Sequence, residues 1–161
     1  MEETLGKYIR EYKTQIQLGD IQKAYRGIMA YMMSLRNHLA NKYPVDFITG
    51  SMYQGYMDIT YFPFTPQSVK NQKLKIGITF NHEKMQFEIW LVGRNKKVQK
   101  EYWETLKKSN WNTYPLSKNA QNSIIEHIID KNPDFDHLEI LTKKLEQEVF
   151  IFIKNISNIF S

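Results

Sequence analysis

The stretch that decides the fold reads LKIGITFNHEKMQFEIWL and occupies residues 74–91. Apolar side chains recur at every second position on both sides of a short interruption, which is typical of two β-strands that bury one face. A turn around His82-Glu83 would join the two strands in an antiparallel hairpin. A one-residue slip in their pairing would turn every apolar side chain of one strand outward, so the pattern constrains the register. The expected pairs are Phe80 with Met85, Ile78 with Phe87, Ile76 with Ile89 and Leu74 with Leu91.

A further strand is predicted upstream, where residues 53–62 also alternate. The side chains expected on its buried face are Tyr53, Gly55, Met57, Ile59 and Tyr61, and those expected on the other face are Gln54, Tyr56, Asp58, Thr60 and Phe62. Thr65-Pro66 then resembles a helix N-cap followed by proline at the first helical position. It predicts a short helix to about Gln72.

Two helices are predicted at the N-terminal end. An apolar stripe at helical spacing marks the first: Leu5, Tyr8, Ile9, Tyr12 and Ile16. Gly19 is expected to end it and Asp20 to cap a second helix that runs to about Tyr43, before Pro44. Because the connection is so short, the two helices are expected to pack as an antiparallel hairpin.

The C-terminal half is expected to be mainly helical. Asn95 opens a third helix over residues 95–108, and a short edge strand is expected over residues 111–116. Residues 121–130 are predicted to form a helix because of their spacing, although their isoleucines favour a strand. A long last helix starts near Asp136 with Glu139 in a capping box, and its apolar seam is Leu138, Leu141, Leu145, Val149, Phe152, Ile156 and Ile159.

These elements predict one α+β domain over residues 1–161, with a small antiparallel sheet and with the two N-terminal helices and the long C-terminal helix packed mainly on one face. The 161 residues contain no cysteine, which excludes disulfides and thiolate metal sites. The N-terminus lacks the basic and apolar regions of a secretory signal, and no apolar run approaches the length of a bilayer span. We therefore expect a cytoplasmic protein with no membrane partner.

The face of the sheet opposite the helices is the first candidate site. Its predicted members are Tyr56, Asp58, Lys75, Glu88 and Trp90, with Lys75 opposite Trp90 and diagonal to Glu88. Tyrosine and tryptophan favour recognition, so the leading hypothesis is a binding or interaction domain that uses this polar face. The alternative is a solvated sheet face with cross-strand charge pairs, which is common in antiparallel sheets.

Two catalytic alternatives use the same carboxylates. Asp58 and Glu88 beside Lys75 could hold a divalent metal, as in a divergent metal-dependent nuclease, although Trp90 stands where the restriction-endonuclease-like pattern has lysine. Asp58 or Glu88 could instead act as a general base on a small molecule, and would then need a raised pKa in a deep cleft. No HExxH motif and no Gly-rich phosphate loop occurs, so the sequence predicts no resident metal or cofactor.

The third predicted helix carries a candidate anion or nucleic-acid patch. The net charge of +5 is concentrated in residues 65–118, with eleven basic and four acidic side chains. Arg94, Lys96, Lys97, Lys100 and Lys107 belong to this patch, and Trp103 and Trp111 could stack on bases. The alternative is an exposed helix whose lysines form salt bridges with Glu101 and Glu104.

The seam of the last helix is the candidate dimer surface. Its apolar length could pair two subunits about a twofold axis, and the alternative is burial inside one chain. The histidines add little: His82 is expected to be exposed in the hairpin turn, and His127 to be a partnered structural residue.

Four stretches of the sequence carry a resemblance that spans nearly the full chain. They are GDIQKAYRGIMAYMMSLR at 19–36, SMYQGYMDITYFPFTP at 51–66, KLKIGITFNHEKMQFEIWLVGRNKKVQ at 73–99 and NPDFDHLEILT at 132–142. The chain resembles a bacterial family of uncharacterised proteins, a domain of unknown function. The resemblance implies a self-standing domain, and it implies no activity.

Overall fold

A computed structural model describes residues 3–160, which form five α-helices and five strands. The helices are α1 (Leu5–Leu18), α2 (Asp20–Lys42), α3 (Gln67–Asn71), α4 (Lys96–Lys108) and α5 (Leu138–Ile156), followed by a 3₁₀ turn (Ser157–Phe160). The strands are β1 (Phe47–Thr49), β2 (Ile59–Pro66), β3 (Leu74–Asn81), β4 (Gln86–Gly93) and β5 (Ile125–Asp130). The predicted α+β class with an antiparallel sheet is confirmed. No helix in the described part of the chain has the length and apolar character needed to cross a bilayer.

The strands pair antiparallel in chain order, and the central hairpin forms with a different register from the predicted one. Phe80 faces Phe87 and Ile78 faces Ile89, so the pairing is shifted by two residues. The loop is longer than expected, because Met85 adopts a positive φ of 51° and stays in the turn. A shift of two residues keeps every side chain on its face, so the apolar pattern alone cannot distinguish the two registers.

The faces of β2 are inverted relative to the prediction. Thr60, Phe62 and Phe64 are completely buried on the core side, whereas Ile59 and Tyr61 are half-buried on the other side. The residues before β2 form a loop rather than a strand, in which Gly55 has a φ of 75°. A Cβ at Gly55 would lie 2.0 Å from the carbonyl oxygen of Ile59, so the glycine allows the loop to turn tightly into the strand.

Helices α2 and α5 cover one face of the sheet. The buried side chains that they contribute are Tyr31, Met32, Leu35 and Leu39 from α2, and Leu141, Leu145, Val149, Phe152 and Ile156 from α5. Full burial of one such side chain contributes about 1.5–3 kcal/mol, so these two helices hold the core together. The seam of α5 is therefore buried inside the chain, which was the alternative to a dimer surface, while Leu138 is 46% exposed.

Helix α1 does not share in the core, and the predicted antiparallel packing along α2 is wrong. No residue of α1 is buried, and the side chains of Leu5, Tyr8, Ile9 and Tyr12 are all more than half exposed. Gly19 ends α1 in the left-handed conformation, as predicted, and it also stands as the N-cap of α2 in place of Asp20. With a single residue between them, the two helices have no loop that would reverse the chain.

The prediction of a helix within residues 121–130 is wrong, because this segment contains the edge strand β5. Pairing with β4 buries Ile125 and Ile129, and the β-branched residues that favour a strand are accommodated on a pleated surface. The edge strand expected over residues 111–116 is reduced to one bridge between Leu116 and Ile125.

The helix starts differ from the predictions at two positions. Strand β2 extends to Pro66, so the N-cap of α3 is Pro66 rather than Thr65. Helix α5 begins at Leu138 after His137, which makes no side-chain cap, so the expected capping box from Asp136 to Glu139 is absent. Helix α4 agrees with the prediction, because the side chain of Asn95 accepts a hydrogen bond from the Val98 N–H.

Candidate functional site

A groove of about 370 Å³ lies on the sheet face opposite α2 and α5. Its floor is formed by β2, β3 and β4, and one end is closed by the first turn of α4 and by residues 121–122. The side chains that matter for its chemistry are Tyr61, Lys75, Thr79, Trp90 and Lys96. We call this feature the sheet groove.

Gly77 forms the middle of the floor. It pairs with Pro63 on β2 and with Trp90 on β4, so neighbouring side chains flank it on both sides. A Cβ at this position would lie 3.7 Å from Cδ2 of Tyr61 and 3.9 Å from Oγ1 of Thr79, which are ordinary contact distances. The backbone therefore does not demand glycine here, and the missing side chain leaves open space beside two aromatic residues.

The carboxylate of Glu88 holds Trp90 in place. Glu88 is only 5% exposed, and its Oε1 accepts the indole N–H of Trp90 at 2.9 Å. Its Oε2 accepts hydrogen bonds from Nε2 of Gln86 at 2.6 Å and from Nδ2 of Asn81 at 3.0 Å. Hydrogen bonds to a charged acceptor are stronger than neutral ones, so three neutral donors satisfy the buried carboxylate without a cation.

Thr79 places on the groove floor a hydroxyl that has no hydrogen-bond partner among the described residues. The residue is 1% exposed, and its hydroxyl oxygen makes no hydrogen bond to the described residues. Leaving a buried hydroxyl unsatisfied costs about 1–3 kcal/mol on the scale of mutational data. Buried polar groups in native proteins are nearly always satisfied, so this exception on the groove floor requires an explanation.

The closed end of the groove is built rigidly by Gln99. This side chain is 5% exposed, accepts the Gly93 N–H at 3.1 Å, and donates to the carbonyl of Ala120 at 2.8 Å. A Cβ at Gly93 would lie 2.4 Å from the backbone nitrogen of Gln99, so only glycine allows the helix to approach the strand this closely. The first turn of α4 is thereby fixed against the end of β4.

The five cations of the predicted anion patch lie in and around α4, and only some of them approach the groove. Lys96 lines it, Lys100 lies in a separate depression with Trp103, and Nζ of Lys107 lies 4.7 Å from the Trp103 ring centroid. Within residues 3–160, no ion pair joins a lysine of α4 to Glu101 or Glu104, so the alternative of a salt-bridged helix is not observed.

The two indoles near this patch are anchored in the fold. Nε1 of Trp103 donates to the carbonyl of Ser117 at 2.8 Å, and Nε1 of Trp111 donates to the carbonyl of Tyr114 at 3.0 Å. Both side chains are half-buried and pack against the core. They are therefore not free platforms for base stacking.

Tyr56 and Asp58 lie outside the sheet, in the loop before β2, where Tyr56 is 91% exposed. The pKa of Asp58 is lowered because the backbone N–H groups of Tyr56 and Ile59 donate to its carboxylate, which is opposite to the shift expected for a general base. Asp58 and Glu88 are each held by different donors. The described residues contain no cluster of three or more His, Cys, Asp or Glu suited to a metal ion.

Lys75, by contrast, lies in the sheet as predicted but in a different pairing. It faces Val92, and Trp90 faces Gly77, so Lys75 and Trp90 are diagonal neighbours rather than direct partners. Lys75 is exposed at the closed end of the sheet groove. Of the five predicted face residues, Lys75 and Trp90 line the groove, and Glu88 supports Trp90 from beside it.

The two central histidines belong to the core side. His82 was expected to be exposed, but it is 6% exposed and its Nε2 lies 2.8 Å from Oγ1 of Thr60. Burial lowers its pKa, with Asp58 acting in the opposite direction. His127 packs against the rings of Tyr114 and Phe152, which also contact each other, and burial lowers its pKa as well, which fits the expected structural role.

Comparison with known families adds one match. The model of a family described as a domain of unknown function, DUF7000, matches residues 5–160. The chain belongs to the DUF7000 family. No curated protein and no solved structure matches it. The resemblance to a domain of unknown function over nearly the full chain is confirmed, and the DUF7000 match carries no statement of activity.

The groove of this DUF7000 chain contains residues that the sequence reasoning missed. The sequence pattern predicts Tyr61 on the buried face, because it inverts the phase of β2, and it assigns no role to Gly77. A glycine inside a strand often marks a close approach of a ligand or another backbone, and this signal was present in the sequence. Gln99 and the lining contributed by residues 121–122 had no comparable signal.

Proposed function

We propose that this DUF7000 chain is a binding domain whose ligand is a small molecule held in the sheet groove. The observation that carries the proposal is the open floor at Gly77, flanked by Tyr61 and Trp90. Beside it lies the Thr79 hydroxyl, which has no partner among the described residues. Ligand sites are typically concave and mostly apolar, with a few placed polar groups. The volume of about 370 Å³ lies within the usual range of about 300–1,000 Å³.

The rigidity of the walls supports the same proposal. Trp90 is fixed by the Glu88 carboxylate, and the first turn of α4 is fixed by Gln99. Side chains that are held before a ligand arrives lose little conformational freedom on binding, which favours affinity. A solvated sheet face would not need such fixed aromatic and amide side chains.

Fragment binding, monitored by NMR, tests the proposal. We expect small aromatic fragments to shift the amide signals of Gly77 and Thr79 and the indole N–H signal of Trp90. Gly77→Val fills the floor with a side chain that favours strands, so it should abolish these shifts while the protein stays folded. Ile128→Phe is the matched control, because it adds volume at an exposed position on the strand next to β4, outside the groove.

Two results would contradict the proposal. One is a set of fragment shifts that maps away from the groove in the wild-type protein. The other is binding that survives Gly77→Val as well as it survives Ile128→Phe. Unchanged amide dispersion in both variants shows that the fold is intact and makes either result decisive.

Nucleic acid is the second candidate partner, and it is favoured by Arg94, Lys96, Lys97 and Lys100, which form no ion pair with the described residues. Binding that depends on such contacts weakens steeply with salt. Fluorescence anisotropy with a labelled single-stranded oligonucleotide at 50 and 200 mM salt tests it, with Lys97→Gln and Lys100→Gln as variants. Absence of binding at 50 mM salt would remove this candidate, and with it the metal-dependent nuclease that would use Asp58 and Glu88.

A further inference from the structure

The first turn of α4 points to the chemical class of the ligand. Asn95 takes up one of the free N–H groups, because its side chain accepts from the Val98 N–H, and its carbonyl accepts the first regular helical bond from the Gln99 N–H. The N–H groups of Lys96 and Lys97 have no acceptor among the described residues. Unsatisfied N–H groups at a helix N-terminus form a natural binding place for an anion.

The charges around this turn are unfavourable without an anion. The N-terminus of a helix carries a partial positive charge, which acidic side chains usually offset. The first turn of α4 contains no acidic residue, and Arg94, Lys96 and Lys97 surround it. Lys75 adds a further cation from β3, at the same end of the sheet groove. An anionic group placed here would satisfy both the N–H groups and the excess positive charge.

The hydroxyl of Thr79 is an independent sign of a ligand at the other end of the groove. It is buried, has no hydrogen-bond partner among the described residues, and lies 3.9 Å from the position that a Cβ at Gly77 would take. Two residues along a strand span about 6.6–6.8 Å, so the distance from Thr79 past Gly77 to Lys75 is about 13–14 Å. This length accommodates a fused aromatic ring system that carries an anionic group at one end.

We infer that the sheet groove binds an aromatic anion, with its ring over Gly77 between Tyr61 and Trp90 and its phosphate or carboxylate at the first turn of α4. Lys75 and Lys96 would pair with the anion. The inference rests on the proposed function of the groove and goes beyond it by naming the ligand class. A ring edge bearing a polar atom would approach Thr79 and give its hydroxyl a partner.

A series of four probes tests the inference: 2-naphthyl phosphate, 2-naphthoate, 2-naphthol and inorganic phosphate. Calorimetry at 50 mM salt gives the affinities, and the indole N–H signal of Trp90 reports occupancy of the groove. We expect one or both aromatic anions to bind at least tenfold more tightly than 2-naphthol, and inorganic phosphate to bind more weakly than 2-naphthyl phosphate. The ratio of the two aromatic anions distinguishes a phosphate ligand from a carboxylate ligand.

Charge-removing variants locate the anion. Lys75→Gln and Lys96→Gln should each weaken binding of the preferred aromatic anion about threefold to tenfold. Lys100→Gln is the matched control, because Lys100 lies on the same helix but does not line the groove, and it should leave the affinity unchanged. Equal losses in all three variants would overturn the inference, since they would report only the overall charge.

The outcomes separate this inference from the proposed function. If 2-naphthol shifts the Trp90 signal but the anions bind no more tightly, the ligand class is wrong and the groove remains a binding site. If no aromatic probe shifts Trp90 at 10 mM, the inference is overturned, and the fragment experiment with Gly77→Val then decides the proposed function on its own.

Discussion

Replacing Thr79 by valine tests whether its buried hydroxyl truly lacks a partner. Thr79 is 1% exposed on β3, and none of the described residues accepts from or donates to its Oγ1. Valine has nearly the same shape, so the substitution exchanges the hydroxyl for a methyl group and disturbs the packing little. Most point mutations destabilise a protein, but here the unliganded domain should gain stability.

The expected gain follows from the cost of burying a hydroxyl. Without a compensating hydrogen bond that cost is about 1–3 kcal/mol, and valine removes it. We expect the free energy of unfolding to rise by about 1 kcal/mol. For a domain of this size such a gain corresponds to a rise of about 2–4 °C in the unfolding midpoint.

Thr65→Val is the matched control, on the neighbouring strand β2. Thr65 is 4% exposed, and its Oγ1 accepts the backbone N–H of Ile76 at 3.2 Å. Valine at this position leaves that N–H unsatisfied, so we expect a loss of about 1–3 kcal/mol. Urea denaturation, monitored by circular dichroism, measures the free energy of unfolding of both variants. A loss for Thr79→Val similar to that of Thr65→Val would refute the reasoning, because it would show that the Thr79 hydroxyl has a bonding partner.

Three further predictions follow from the fold. Ile9→Ser combined with Tyr12→Ser should change the free energy of unfolding by less than about 0.5 kcal/mol, because α1 buries no residue. A loss above about 1.5 kcal/mol in thermal unfolding would mean that the apolar stripe of α1 is covered in solution. Glu88→Gln should cost about 1–3 kcal/mol and shift the Trp90 indole signal, since the charge is lost and the amide NH2 group faces the donor or donors of the oxygen it replaces. An unchanged signal would contradict this. Burial lowers the pKa of His82, so its contribution to stability is present above the unfolded pKa of about 6.5 and is lost as the pH falls through the folded pKa. The urea midpoint should therefore decline less between pH 7 and pH 5 in His82→Gln than in the wild-type protein. An equal decline in both proteins would argue against this contribution.

The elements of the sheet show what a sequence pattern can predict. Alternation in residues 74–91 identified β3, β4 and their core-facing side chains correctly, because the face that a side chain takes depends on whether its position is odd or even. The predicted register was wrong by two residues, because Met85 stays in the turn with a positive φ. Methionine is not a residue type that indicates such a backbone conformation in the sequence. The face on which each side chain lies can thus be predicted from the sequence. The register between β3 and β4 depends on the loop length, which is decided by the conformation of the turn.

Failures elsewhere have a related cause. In β2, aromatic residues occupy both parities at Tyr61 and Phe62, so hydrophobicity could not tell which side faces the core. Residues 121–130 combine helical spacing with β-branched side chains, and pairing with the free edge of β4 decides in favour of the strand. Both outcomes depend on tertiary partners that a single sequence does not display.

The candidate site was predictable only where it follows from strand parity. Lys75, Glu88 and Trp90 were assigned correctly to the face opposite the helices, because β3 and β4 were in phase. Tyr56 and Asp58 were assigned to the same face, but they lie in a loop that Gly55 turns away from the strand. The closed end of the groove arises from the contact between Gly93 and Gln99, which depends on how α4 packs against β4.

A crystal structure of the domain with 2-naphthyl phosphate tests the central claim most directly. We expect density for the naphthyl ring above Gly77, between the side chains of Tyr61 and Trp90, with the phosphate within hydrogen-bonding distance of the N–H groups of Lys96 and Lys97. An empty groove in crystals grown with saturating ligand, or a ligand seated on another surface, would contradict the account.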